Sequence, residues 1–412
     1  MNESVVIIGG GQAGAQTAIS LRKEGFNGAI TLVCEEAVLP YQRPPLSKTY
    51  LAGELAKERL FIKPAAFYEK ANIALLLGVR VSAIDTEQQL LSLDNQQSLP
   101  YHHLVFATGG RVRPLHCPGI DHHHVHYLRT LADVDAMQDK FQPGKRLVII
   151  GGGYVGLETA AVAIKHGLDV SVLVARPTAL GRVTSKVVGQ FFEQVHRSAG
   201  VNLQSSTDVE CLEGDGEEVV LTTRGSLLAA DLVVVGIGLL PNVELAESAG
   251  ILCEDGINTD QYGRTSVGNV YAAGDCANHP NAIYKRRMRL QSVQNAIDQA
   301  KTVAATICGK NKPYTQIPWF WSDQYELKLQ TAGVNTGYDE IVLRGDPATR
   351  SFAAFYLRAG RLLAVDAINR PAEFVAARNI INKHLDVSAA RLGDESIPAK
   401  ALAEPQSEKS PA

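Results

Sequence analysis

Two glycine clusters of one type, Gly9-Gly10-Gly11-Gln12-Ala13-Gly14 and Gly151-Gly152-Gly153-Tyr154-Val155-Gly156, carry the clearest chemistry in the chain. Each follows a short apolar run, residues 5–8 and 147–150, and each opens a helical pattern. In such a unit the first glycine makes a tight turn and the second lets the backbone approach a pyrophosphate. The third seats the helix against the strand. Exposed N–H groups and the helix dipole then hold the anion, the dipole contributing roughly 0.3–1 kcal/mol. One such unit is weak; two predict two dinucleotide sites. Gly9, Gly11, Ala13 and Gly14 would line one, and Gly151, Gly153, Tyr154, Val155 and Gly156 the other. Two nucleotides in one protein point to electron transfer, most simply from a nicotinamide to a flavin.

An acid about 20 residues beyond the first loop should accept hydrogen bonds from the adenosine ribose. Glu35 fits and Glu36 is the neighbouring alternative. Ala107-Thr108-Gly109 ends a strand where the chain can close over a cofactor, and Tyr271-Ala272-Ala273-Gly274-Asp275 ends another. Ligands bind at the carboxyl ends of such strands. Asp275 is therefore assigned to flavin ribityl hydroxyls, with capping of the following turn as the plainer reading.

Six cysteines (34, 117, 211, 253, 276 and 308) show no close pairing, which argues against a redox disulfide, zinc knuckle or iron–sulfur cluster. Small buried hydrophobes are the expectation for all six. The run His122-His123-His124-Val125-His126 invites a metal reading. Adjacent histidines do not easily face one ion, and no spaced acid or cysteine completes a set. A polar surface loop between domains, with no metal, is expected.

The elements that must position these groups follow from the pattern. Residues 5–109 read as strand, loop, helix, strand, Pro-rich loop, meander (79–85, 90–93) and strand 104–107. The scheme restarts near 146, through a helix at 183–199 to a buried strand at 231–235. Residues 270–275 return to the first domain, followed by a helix at 292–307. Beyond 313, alternating strands (326–332, 339–343, 352–358, 362–366) and a helix at 372–383 suggest an antiparallel α+β domain. The expected fold is α/β: two Rossmann-like dinucleotide-binding domains plus a C-terminal α+β domain. The boundaries are 1–112 with 245–315 for FAD, 113–244 for NAD(P), 316–398 for the C-terminal domain, and a disordered tail at 399–412. A net charge of −3 argues against nucleic-acid binding. No apolar run is long enough for a bilayer, and the first strand starts near Met1, so a cytoplasmic location is expected.

The loop Leu39-Pro40-Tyr41-Gln42-Arg43-Pro44-Pro45-Leu46-Ser47-Lys48 resembles the signature of the FAD-dependent ferredoxin reductases of Rieske-type oxygenase systems. These are the putidaredoxin- and rubredoxin-reductase-like members of the glutathione reductase superfamily. Further matches are GGGYVGLE at 151–158, GIGLLPNVELAE at 236–247, VYAAGDCA at 270–277, SVQNAIDQAK at 292–301 and PWFWSDQ at 318–324. The resemblance implies bound FAD and a nicotinamide nucleotide. It places Lys48 at the reactive flavin edge, where a cation favours the electron-rich ring, and Glu158 beside the nicotinamide, paired with Lys48. By the same likeness Arg43, Val81, Arg129, Val293 and Trp321 join the FAD set. Val174, Arg176, Arg182, Gly236, Ile237 and Gly238 join the NAD(P) set. Disulfide-reducing relatives need two cysteines beside the flavin, and Ser47-Lys48 stands there instead. Electrons must then leave singly from the flavin to an external carrier.

Two departures stand out. Most relatives have Glu where Val174 stands, and that Glu grips the ribose 2′-OH of NADH. Val174 removes a carboxylate that would repel a 2′-phosphate of about −1.5 to −2 charges, and Arg176 could bond it. NADPH is expected as a coenzyme, with NADH and/or NADPH used; an Arg176 that only meets solvent is the plainer reading. Gln291 replaces a common Glu. Lys285, Arg286, Arg287 and Arg289 form a basic run, read as a landing patch for an acidic [2Fe–2S] ferredoxin. The expected activity is an NAD(P)H:ferredoxin oxidoreductase serving an aromatic-ring or related oxygenase. A monodehydroascorbate-reductase-like enzyme and an apoptosis-inducing-factor-like regulatory flavoprotein are the alternatives. The oligomeric expectation is a monomer or weak homodimer.

Overall fold

A computed structural model of the chain describes residues 3–214, 216 and 218–404. The chain divides into two compact units. The first comprises Met1–Pro45, Leu55–Arg111 and Leu239–Gln316; the second comprises Leu46–Glu54, Val112–Gly238 and Ile317–Ala412. The strand-rich C-terminal segment thus shares a unit with the second glycine loop. So does the short stretch Leu46–Glu54, which sequence reading had given to the FAD domain.

In the first unit a parallel sheet runs in the order Val270–Ala272, His103–Phe106, Ser4–Ile8, Ala29–Cys34, Ile73–Leu77. Strand alternation turns Val5 and Ile7 toward a core shared with Leu21, Val303 and Ala304. Val6 and Ile8 face the other way, onto Leu91 and Leu93 of the meander. Burial on both faces explains why the first strand reads as unbroken apolar residues rather than alternating ones. Helices Gln12–Glu24 and Val293–Ile307 cover the sheet. Val81 lies in this core, 6% exposed.

The second unit repeats the order with Asn202–Ser205, Asp169–Val174, Arg146–Ile150, Leu232–Val235 and Val125–Tyr127. The last strand corrects the sequence reading: Val125–Tyr127, expected in a polar loop, pairs parallel with residues 233–235. The signal was too short, since three residues carry no readable period. A five-stranded antiparallel sheet also belongs to this unit, in the order Trp319–Gln324, Leu327–Gly333, Arg361–Ile368, Ser351–Arg358, Glu340–Asp346. Within it Asp366 is fully buried. It accepts hydrogen bonds from Thr331 and Tyr356, each at 2.6 Å, and from Thr184. Thr184 precedes the helix Lys186–Ser198, so Asp366 ties that helix entrance to the sheet. The start of the expected disordered tail is ordered: Ala399–Ala403 form a 3-10 helix with Leu402 fully buried. One leucine among alanines anchored by Arg391 to the Ala401 carbonyl suffices. The rest of the expected tail, 405–412, lies outside the described residues.

Candidate active site

The first glycine loop forms at the point where the sheet order reverses, the usual ligand crevice of such sheets. At Gly9 (φ +114°) a Cβ would stand 2.2 Å from the Ala107 carbonyl oxygen. At Gly14 it would stand 1.9 Å from the Gly9 oxygen, and at Gly10 2.5 Å from Cys34 Sγ. At Gly11 it would meet nothing within 4 Å. Helix Gln12–Glu24 starts from Gly11 without a side-chain cap. Packed glycines around one open glycine at an uncapped helix start make a cradle of the right kind for a pyrophosphate.

Around it, Ala107 donates its N–H to the Ile8 carbonyl at 2.8 Å. Thr108 Oγ1 donates to the Asn242 carbonyl at 2.8 Å, and the Asn242 side chain returns a bond to the Thr108 carbonyl at 2.9 Å. Gly109 accepts from the Asn242 N–H at 3.1 Å. Asn242, missed from sequence although it follows Pro241 in a quoted motif, therefore stitches this turn. Gly274 has φ +86° and its Cβ position lies 2.8 Å from Ala13 Cβ, which brings Ala13, Gly274 and half-buried Asp275 to one place. Gln299, also missed, fixes Gly274 through a 2.8 Å bond to its N–H. Of the two candidate ribose acids, Glu36 accepts from Tyr41 (2.6 Å) and Arg43 (2.7 Å). Glu35 remains 74% exposed, with Arg80 at 3.8 Å, and is the carboxylate open to a ligand. Arg43 is engaged by Glu36 and lies over the Tyr41 ring. Val293 is half-buried at the start of its helix, after the Ser292 cap.

The second loop repeats the first. A Cβ at Gly151 (φ +117°) would stand 2.4 Å from the Gly236 oxygen, and at Gly156 2.2 Å from the Gly151 oxygen. At Gly153 only that Gly236 oxygen comes within 4 Å, at 3.9 Å, and the helix Tyr154–Lys165 again has no side-chain cap. Tyr154 packs against Phe320, with ring centroids 4.6 Å apart and the planes tilted by 35°. Burial and the neighbouring Asp366 push its phenol up. Val155 is 40% exposed, an apolar surface beside the loop. The two loops align by register: Gly9 donates to the Val33 carbonyl and Gly151 to the Leu173 carbonyl. Val174 is thus the counterpart of Cys34, buried under Gly152 and against Ala179. Ala175 is the counterpart of Glu35. Neither position carries a carboxylate. Arg176 is exposed, and Arg182 places a guanidinium nitrogen 3.6 Å from the Cβ position of Gly238 (φ +115°). Half-buried Ile237 lies between Gly236 and Gly238. Glu193, missed from sequence, is buried in helix Lys186–Ser198 and accepts from the Ala179 N–H (2.8 Å) and Ser205 (2.9 Å). It pins the segment that carries Arg176.

A third cluster, also in the second unit, joins residues far apart in sequence. Lys48 Nζ lies 2.7 Å from Glu158 Oε2, with side-chain exposures of 18% and 4%. Ser47 donates to the same oxygen at 2.5 Å, and Ser322 donates to Oε1 at 2.6 Å. Behind Ser322 stand Gln324 (3.2 Å) and then His196, whose Nε2 is 2.9 Å from Gln324 Oε1. Tyr325 closes the chain on His196 Nδ1 at 3.1 Å. Because the Gln324 carbonyl oxygen only accepts, every bond from Tyr325 to Ser322 can point its proton toward Glu158. The carboxylate is held by one cation and two hydroxyls. Trp321, next to Ser322, is half-buried beside Trp319 at 5.6 Å. Arg129 precedes helix Leu131–Met137 and its Thr130/Asp133 capping box.

Residues 3–300 match the family described as pyridine nucleotide-disulphide oxidoreductase, and residues 319–403 match the reductase C-terminal family. The chain belongs to the pyridine nucleotide-disulphide oxidoreductases. It is 43% identical over 408 residues to putidaredoxin reductase of Pseudomonas putida, covering 97% of each chain. It is 46% identical over 381 residues to a ferredoxin–NAD(P)(+) reductase of a Sphingomonas species, covering 92% of each. Its backbone matches the reductase in a covalent putidaredoxin reductase–putidaredoxin complex with a TM-score of 0.95, covering 97% of this chain and 98% of that one. This reductase is accordingly an FAD-dependent, NAD(P)H-linked oxidoreductase of the ferredoxin-reductase class.

The residues present suit both nucleotides: each loop offers an uncapped helix start and an open glycine. All six cysteines are free thiols, and the expectation that all six are buried is corrected: only Cys34 and Cys276 are, while Cys117, Cys211, Cys253 and Cys308 are half-buried. Burial pushes Cys34 up to about 12 and Cys253 up to about 11, and Cys276 is fully buried. The basic run splits. Arg287, itself exposed, bonds the Thr259 and Asn278 carbonyls, and Arg289 holds Asp255 at 3.0 Å; Lys285 and Arg286 are exposed too. Gln291 is exposed as well. No helix among the described residues is long and apolar enough to cross a membrane.

Proposed function

We propose that this reductase draws electrons from NADPH, with NADH as an alternative, and delivers them to a [2Fe–2S] ferredoxin that feeds a ring-attacking or related oxygenase. FAD, once bound, would supply the conversion between a two-electron donor and a one-electron acceptor. Glu35, Thr108, Gly274 and Asp275 with the first glycine loop hold it. The second loop, Arg176 and Arg182 hold the coenzyme. Glu158 fixes the Lys48 ammonium, and Lys48 brings the positive charge that favours electron arrival. The observation that carries the reading is the buried Lys48–Glu158 pair at 2.7 Å.

Lys285 and Arg286 are the residues assigned to ferredoxin docking, and the protein acts as a monomer or weak homodimer. The coenzyme assignment rests on the missing strand-end carboxylate together with Arg176. A charge-assisted bond contributes about 1.5–3 kcal/mol. Arg176→Ala should therefore lower kcat/KM for NADPH roughly ten- to hundredfold and leave NADH within about twofold. Anaerobic stopped-flow bleaching with each coenzyme measures it, and equal losses for both would count against the assignment. Val174→Glu should shift preference toward NADH.

A further inference from the structure

Three consecutive imidazoles in the second unit form a constellation that electron transfer does not use. Sequence alone gives His122, His123 and His124 no reason to converge. The fold does so with a turn, closed by the Val125 N–H on the His122 carbonyl at 2.9 Å. Ring centroids then lie 4.6 Å (122–123), 5.2 Å (122–124) and 4.1 Å (123–124) apart. Each ring offers one nitrogen such that the three lie within 4.8 Å of one another.

The protonation pattern is a second, independent observation. Nε2 of His123 and of His124 stand 3.1 and 3.2 Å from the Gly216 carbonyl oxygen. A carbonyl only accepts, so both rings donate from Nε2, and in the neutral imidazole the lone pair is on Nδ1. Nδ1 of His122 accepts from the His124 N–H at 3.4 Å, so this ring must exchange that contact for the metal when the site closes. Nδ1 of His124 is buried and has no hydrogen-bond partner among the described residues. A backbone carbonyl that fixes the tautomer of a ligating histidine is the usual outer support of a metal site.

We propose that His122, His123 and His124 bind a divalent transition-metal ion of the zinc class. Imidazoles suit zinc, copper, nickel or iron and not magnesium or calcium. Zinc–nitrogen bonds of about 2.0–2.1 Å bring ligand nitrogens to roughly 3.4 Å, so the rings must close by rotation, exposed His123 moving most. The turn leads directly into Val125–Tyr127, the edge strand of the nucleotide-binding sheet, and Gly216 follows the strand Val209–Gly214. The ion would clasp the entrance to that edge strand to its support.

The test uses the untagged, full-length, FAD-loaded reductase, stripped with EDTA and titrated with Zn²⁺ against a chromophoric chelator. One ion per chain is expected, with His123→Gln and His124→Gln each weakening affinity at least about tenfold. X-ray absorption should show a nitrogen shell at about 2.0–2.1 Å. His123 is exposed, so the zinc-free melting curve of His123→Gln should match the parent, while the zinc-induced rise in midpoint disappears. A sulfur shell near about 2.3 Å, which would assign the ion to cysteines, overturns the proposal. Unchanged affinity in both variants, or no binding by the parent, does the same.

Discussion

Glu158 is 3% exposed, and its charge is tolerable only because Lys48, Ser47 and Ser322 meet it. Removing the cation leaves a buried carboxylate uncompensated, a loss of about 3 kcal/mol or more. Lys48→Met should lower the urea midpoint accordingly, and Glu158→Gln in the same chain should restore most of it. If the double variant is as unstable as Lys48→Met alone, the pair does not account for the charge balance. Ser47 and Lys48 stand in a quoted motif, and the likeness to ferredoxin reductases already pointed from Lys48 to Glu158. Ser322 was not singled out. Its hydroxyl reaches a residue 164 positions away, and nothing local distinguishes it from any other strand serine.

At the scale of elements, the two glycine loops were legible because their constraints are local. Tight turn, open helix start and close packing all fall within six residues. The structure separates the glycines by task. A methyl at Gly14 would meet the Gly9 carbonyl at 1.9 Å, whereas at Gly11 it meets nothing within 4 Å. Gly14→Ala should therefore destabilise the protein by several kcal/mol. Gly11→Ala should leave apoprotein stability within about 0.5 kcal/mol yet shed FAD on dilution. Visible absorbance after gel filtration, set beside thermal melts of the apoprotein, distinguishes the two. Retained FAD in Gly11→Ala would remove that loop from the cofactor's cradle. Short strands such as Val125–Tyr127 were illegible, because their partners and not their pattern make them strands.

For the whole molecule, two predictions concern charge. Ferredoxin docking through Lys285 and Arg286 should slow steeply as salt rises above about 0.1 M, where the Debye length is about 10 Å. Arg286→Glu should mimic high salt in ferredoxin-dependent reoxidation. Arg289→Ala should instead lower stability, since its guanidinium holds Asp255. A reoxidation rate indifferent to salt would speak against a charged landing patch. The second concerns acid. Burial lowers the imidazole of His279 to about 4, where an unfolded chain titrates near about 6.5. Between those values the unfolded state binds more protons, so stability falls as pH drops from about 6.5 toward about 4. The full loss is roughly 3 kcal/mol. Urea midpoints of the parent and of His279→Asn, taken across that range, should converge toward the acid end.

The sequence by itself determined the two dinucleotide units, the family likeness, the absence of paired cysteines and the missing carboxylate at Val174. All of these are written in neighbouring residues or in short spacings. Only tertiary structure decided that Leu46–Glu54 belongs with the second glycine loop, that Glu158 gathers Ser322 as well as Lys48, and that Arg287 and Arg289 are engaged by backbone and Asp255. Those outcomes depend on which distant groups share one desolvated space, and a buried charge selects its partners by distance in space rather than along the chain.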